Sequence, residues 1–157
     1  MSWNSIGDAS RVVPLVVRWD KPDGTKHTVS FPGGCDKSIA YLLTYCIHRA
    51  IELGYPPREG WCWGYFVKPI AGTTIPSNHG KGGGRAIDYN APENGRGTAG
   101  ELARHPKVVA VFKRNGFNWG GTWDYTDPMH FEALKSRLWY WRRTRQVKRE
   151  QRKQGNR

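Results

Sequence analysis

Two stretches place polar, metal-competent side chains among apolar neighbours, and they restrict the architecture more than any other feature of the chain. In AIDYN, residues 86–90, Asp88 lies in a short run of strand-forming residues; in DPMHFE, residues 127–132, His130 lies between Met129 and Phe131. A carboxylate or imidazole held in apolar surroundings is costly without a partner. The fold must therefore let these distant residues satisfy one another or share a ligand. Upstream, SNHGKGGGRAIDYN (77–90) adds Ser77 and His79 ahead of a glycine run, which lets the backbone turn sharply. A lone His or Asp is more often a surface or capping residue. His79, Asp88 and His130 together, however, supply the donor types with which zinc is held by three protein ligands, leaving a fourth position for water. The glycine run is not a phosphate loop, because Lys81 precedes Gly82 and no hydroxyl residue follows to hold magnesium.

With 157 residues, the chain is long enough for one domain with a core and short for two. Cys35, Cys46 and Cys62 form no CxxC pair and are odd in number. That excludes a zinc ribbon and a disulfide scaffold, so buried, reduced thiols are expected. No secretory leader and no apolar run of membrane-spanning length is present, which leads to the expectation of a soluble chain made in a cytoplasm without a signal peptide. The net charge is +12, and residues 135–157 hold ten Lys and Arg against the single acid Glu150. Such a segment is attracted to nucleic acid, anionic lipid or phosphate-rich wall polymers alike.

Hydrophobic periodicity predicts a hairpin over Val12–Phe31 around an Asp-Gly turn, then a helix from Ile39 to Leu53 capped by Asp36 or Ser38. WCWGYFVKPI reads as a strand, RAIDYN as a short strand, Pro106–Arg114 as a helix, and GFNWGGTWDYTDP as a loop entering a strand at MHFEA. A last helix is expected to dock through Leu134, Leu138 and Trp141 and to fray beyond Arg142. On this reading residues 1–141 form the domain and 142–157 a basic tail.

SNHGKGGGRAIDYN followed by GFNWGGTWDYTDPMHFE resembles the zinc peptidases that include D-alanyl-D-alanine carboxypeptidases and the L-alanyl-D-glutamate endopeptidases of phage endolysins. Their pattern is SxHxxGxAxD, a later WGG.W segment and a D/E-x-x-H; the match spans about residues 63–132 and leaves the hairpin at 12–31 outside. The resemblance implies an α+β fold: one compact domain in which a small antiparallel sheet carries the zinc site between helices, followed by a basic C-terminal helix. It implies that His79, Asp88 and His130 bind one zinc ion and that Asp127 is the catalytic carboxylate. Read by itself, Asp127 would be a turn residue before Pro128, and Ser77, which matches a serine beside the first ligand, either contacts substrate or fixes its loop. Trp119 and Trp123 either pack in the core or line the substrate groove. Two departures stand out. His79 and Asp88 are nine positions apart where the family has seven, and KPIAG replaces RPIRG, so that Lys68 keeps a positive charge but not a two-pronged guanidinium. Arg85 offers another cation, although a solvated loop position is the plainer reading.

The expected activity is zinc-dependent hydrolysis of a bond in the peptidoglycan stem peptide, first the bond between L-alanine and D-glutamate, by an enzyme of phage endolysin type. It would act on the wall after release from the host cytoplasm, or from a virion. The basic tail would be drawn to anionic wall polymers or outer-membrane phosphates. Trimming of terminal D-alanine by a carboxypeptidase with the same metal site is the alternative. A basic nucleic-acid-binding protein using its C-terminal tail is the alternative of another class.

Overall fold

The computed structural model describes residues 8–70, 72–75 and 77–155, so Asn156 and Arg157 of the basic tail lie outside it. Two small antiparallel sheets and three α-helices share one core, an α+β arrangement as expected. β1 (Val12–Asp20) and β2 (Lys26–Asp36) form the hairpin, and β3 (Ala86–Asp88), β5 (His130–Ala133) and β4 (Phe117–Trp119) form the second sheet in the order β3-β5-β4. Between them lie α1 (Ala40–Glu52) and α2 (Pro106–Arg114), and α3 (Arg137–Gly155) ends the described chain.

The hairpin alternates as a half-buried ribbon should, sending Leu15, Val17, Val29 and Phe31 inward. They meet the face of α1 made by Leu42, Leu43, Cys46, Ile47 and Ala50, the spacing that marks this helix in the sequence. From the other side α2 contributes Val108 and Phe112, and Phe112 stacks on Phe131 of β5 at 4.1 Å between ring centroids. This aromatic contact fixes the height of β5, and with it His130, above the core. Cys35, Cys46 and Cys62 are buried and unbridged, and burial pushes the thiols of Cys35 and Cys62 up to about 12 and about 11.

Several elements differ from the sequence reading. β2 runs on through Pro32, Gly33 and Gly34 to Asp36, past the expected end at Phe31. Neither Asp36 nor Ser38 caps α1; the N-cap is Ile39 without a side-chain bond. Asp36 instead turns inward and is fully buried. WCWGYFVKPI is not a strand, because its hydrogen bonds are divided between two partners: Trp63 bridges Asp88, while the Gly64 and Tyr65 amides donate to the carbonyls of Pro32 and Gly34. FNW, read as loop, is strand β4, whose pairing with β5 outweighs its glycine-rich surroundings. Finally, α3 does not dock through Leu134, Leu138 and Trp141, which are 54%, 55% and 53% exposed. Tyr140 and Val147 are its buried residues, and Gln151 still meets Tyr41 of α1, so the helix stays attached well beyond Arg142.

Candidate metal centre

Strand register brings the first two site residues together. Asp88 and His130 are directly opposed in the β3–β5 ladder, so their side chains rise from the same face of the sheet. Glu132, two residues along, shares that face. His79 arrives from the loop before β3, guided by the edge that the Trp63–Asp88 bridge creates. The Nδ1–H of His79 donates to the carbonyl of Gly64 at 2.8 Å, leaving Nε2 to face the sheet. Phe66 stacks on the imidazole at 4.4 Å between centroids, and the Trp123 ring approaches that of His130 at 5.3 Å.

The result is a tight triangle. His79 Nε2 and Asp88 Oδ1 are 3.2 Å apart, His79 Nε2 and His130 Nδ1 3.1 Å, and His130 Nδ1 and Asp88 Oδ1 3.2 Å. A carbonyl can only accept, so a singly protonated His79 presents a bare lone pair to the other two atoms. Three converging acceptors repel unless a cation or a proton lies between them. Tetrahedral zinc with ligands at about 2.0–2.1 Å spaces neighbouring donors roughly 3.3 Å apart, close to the spacing found. Donor types, separations and the tautomer of His79 therefore all fit a zinc ion.

Glu132, which sequence reasoning passed over, supports the cluster from behind. His130 Nε2–H donates to Glu132 Oε2 at 3.0 Å, and Asn78 donates to the same oxygen. Such carboxylate–histidine pairs orient a ligand imidazole and raise its basicity. The signal was available: in a strand HFE, the residue two after a ligand must share its face. Burial alone would lower the His130 pKa, but hydrogen bonds and charges from Asp88 and Glu132 raise it to about 9. Burial likewise opposes ionisation of Asp88 and Glu132, yet the histidines hold Asp88 far below the usual carboxylate range, and His130 with Asn78 holds Glu132 below it.

Beside the triangle opens a cavity of about 260 Å³. Asp127, Ser77, Lys68 and Trp123 line it, as does Arg96, which sequence reasoning passed over. Asp127 Oδ1 and Ser77 Oγ are buried with no hydrogen-bond partner among the described residues, which leaves both available to a ligand. Burial, joined by the negative charge of Asp88, raises the pKa of Asp127 despite the nearby cations His130 and Arg96. Trp119 lies elsewhere: it is buried, with its indole N–H donating to the Pro128 carbonyl at 2.7 Å. Arg85 is half-buried on the body side, its carbonyl accepting the Ala133 amide, and does not line the cavity. The glycine loop that separates His79 from Asp88 is tied down, since the Gly83 amide donates to the buried Asp36 and the Gly84 carbonyl accepts the Asp36 amide. The loop is thus held against the hairpin.

A family model described as D-alanyl-D-alanine carboxypeptidase matches residues 71–133. This segment is shorter than half of the chain, yet it contains His79, Asp88, Asp127, His130 and Glu132. Over it the chain is similar to that family. No curated protein and no solved structure matches the chain.

Proposed function

We propose that the protein is a zinc-dependent peptidase that hydrolyses a bond in the stem peptide of peptidoglycan. The observation that carries this reading is the convergence of His79, Asp88 and His130 beside a cavity into which Asp127 offers an unpartnered carboxylate oxygen. When bound, zinc supplies Lewis acidity toward water and toward a peptide carbonyl. Asp127 takes the proton of the attacking water and returns it to the leaving amine, a role its raised pKa suits. Ser77 hydrogen-bonds the peptide backbone in the cavity, and Trp123 packs against it. Glu132 holds His130 in orientation through Nε2.

Within this reading we place the cut between L-alanine and D-glutamate, in an enzyme of endolysin type acting on the wall after release, with the basic helix α3 drawn to anionic envelope polymers. The description of the matching family favours a second cut, removal of terminal D-alanine. Mass analysis of digested wall separates the two: new amino-terminal D-glutamate supports the first, and free D-alanine the second. Metal content together with turnover tests the site. His130→Ala should lose zinc, whereas Asp127→Asn should keep zinc and lose about two to four orders of magnitude in turnover. A protein that cuts wall equally well without metal would end the proposal.

A further inference from the structure

We propose that Lys68 and Arg96 form a carboxylate-binding pair that selects peptides whose leaving-side residue bears a free α-carboxylate; this rests on the peptidase reading above. Both side chains line the cavity beside the metal triangle. Among the described residues neither makes a hydrogen bond or an ion pair through its side chain. Two of the cavity's three acids are already engaged: Asp88 with two histidines, Glu132 with His130 and Asn78. Asp127, the third acid of the cavity, feels the charge of Arg96 but makes no ion pair with it, so the two cations keep their N–H donors for an anionic group on the substrate.

Arg96 is held for this purpose by its loop. The Gly97 amide donates to the Thr126 carbonyl at 2.7 Å, and the Thr126 hydroxyl donates to the Thr98 carbonyl at 2.7 Å. The guanidinium lies over the Tyr125 ring, 4.9 Å from its centroid. Gly97 is required here, because its φ of +77° is a left-handed conformation and a Cβ would meet the Tyr125 hydroxyl at 3.0 Å. Stacking on an aromatic face leaves the N–H edge of an arginine free for a planar, two-pronged carboxylate contact. Lys68 adds a point-charge ammonium, which does not reproduce that two-pronged contact. Arg96 supplies it from a different loop.

The strap also sets which side of the scissile bond is read. Residues 97 and 98 are bonded to Thr126, the neighbour of Asp127, and Asp127 delivers the proton to the leaving amine. The cation therefore lies with the leaving half of the peptide. In a γ-linked D-glutamate, the carbon that bears the scissile nitrogen also bears the free α-carboxylate. The same is true of a terminal D-alanine, so either bond satisfies the pair.

The test compares two synthetic peptides, L-alanyl-γ-D-glutamyl-L-lysine and its α-amide, using the zinc-loaded full chain. The native protein should favour the carboxylate peptide about ten- to a hundredfold in kcat/KM, the worth of one charge-assisted contact. Arg96→Gln should raise KM for the carboxylate peptide until that preference is gone, with zinc content unchanged. Arg96→Lys should restore part of it, and Lys68→Met should remove a smaller part. Equal loss on both peptides, accompanied by a shifted acid limb of the pH profile, would show that Arg96 acts through Asp127 and would overturn the proposal. Calorimetric binding to Asp127→Asn, with and without Arg96→Gln, gives a reading independent of turnover. A carboxylate preference lost with Arg96, in a protein that cuts neither peptide nor wall, would uphold the pair and sink the peptidase. Equal binding of the two peptides would sink the pair alone.

Discussion

His79 donates its Nδ1 proton to the carbonyl of Gly64 at 2.8 Å, and Gly64 donates its own amide to the carbonyl of Pro32 in β2 of the hairpin. The orientation of this candidate metal ligand is therefore set by a part of the chain outside the segment that matches the family model. A side chain at Gly64 would drive its Cβ into the Gly34 carbonyl and push the two backbones apart. Gly64→Ala should weaken zinc binding about 10- to 100-fold, the usual cost of disturbing a partner of a ligand, as measured by competition with a chromophoric chelator. Unchanged affinity would show that the hairpin does not position His79.

His130 ties metal binding to pH. Its pKa of about 9 in the metal-free protein arises because Asp88 and Glu132 overcome the penalty of burial. A group whose pKa is raised on folding stabilises the native state fully below its unfolded value of 6.5, and that contribution is lost as pH rises through about 9. The metal-free protein should therefore lose thermal stability between about pH 6.5 and 9, read by calorimetric melts in chelator. Zinc needs the imidazole without its Nδ1 proton, so the metal-dependent stabilisation should grow over the same interval. Titrations in buffers of different ionisation enthalpy should count about one proton released per zinc near pH 7.

What was legible in the sequence follows from range. The hairpin, α1, α2 and the strands holding Asp88 and His130 announce themselves because their periodicity or turn chemistry is local. Asp88 and His130 were legible because each combines a metal-competent side chain with an apolar setting that demands a partner, whereas His79 was singled out by its place before the glycine run and by the family resemblance. Arg96 and Glu132 were not singled out, because their roles come from where loop 94–98 and the β5 face lie in space. Strand β4 was hidden for a related reason: FNW has no pattern of its own and is a strand only because β5 pairs with it. Leu134, just before α3, and Leu138 and Trp141 within it form a convincing stripe, yet the helix is rotated so that Tyr140 reaches the Gly116 carbonyl at 2.6 Å. The observed rotation buries Tyr140 and Val147 and at the same time satisfies a buried hydroxyl and carbonyl, which together replace the burial of the stripe.

Asp36 should control acid stability. Its carboxylate receives Arg11 Nε at 2.8 Å and Nη2 at 3.0 Å, the Ser38 amide and hydroxyl, the Gly83 amide, and Arg137 Nη2 at 3.2 Å. Burial works against the charge, but Arg11 and Ser38 prevail and bring its pKa from 3.8 down to about 2. A depressed pKa contributes stability above the unfolded value, and the contribution disappears as pH falls through about 2, so the loss should be confined to the window below pH 4. Asp36→Asn removes the buried anion that Arg11 and Arg137 contact and should cost about 3–5 kcal/mol at pH 7. Because Asp36 also anchors the glycine loop at Gly83, the same substitution should weaken zinc binding, whereas an effect on unfolding alone would limit its role to the fold. Denaturant melts at pH 7 and pH 3, paired with zinc titration, separate these outcomes.

The two faces of α3 should differ in their sensitivity to substitution. Val147 is fully buried, and Tyr140 accepts the amides of Leu134 and Lys135 while donating to Gly116. Val147→Ala should therefore cost about 1.5–3 kcal/mol through lost apolar burial. Tyr140→Phe should cost about 1–3 kcal/mol, because the Gly116 carbonyl is left without its donor. Leu138→Gln, on the face that the sequence pattern assigned to the core, should stay within about 0.5 kcal/mol of the parent, as should Arg149→Gln and Arg152→Gln. Urea melts of the full chain supply all five values. If Leu138→Gln destabilised the protein as much as Val147→Ala, the helix would be docked by its apolar stripe and the rotation described for α3 would be wrong.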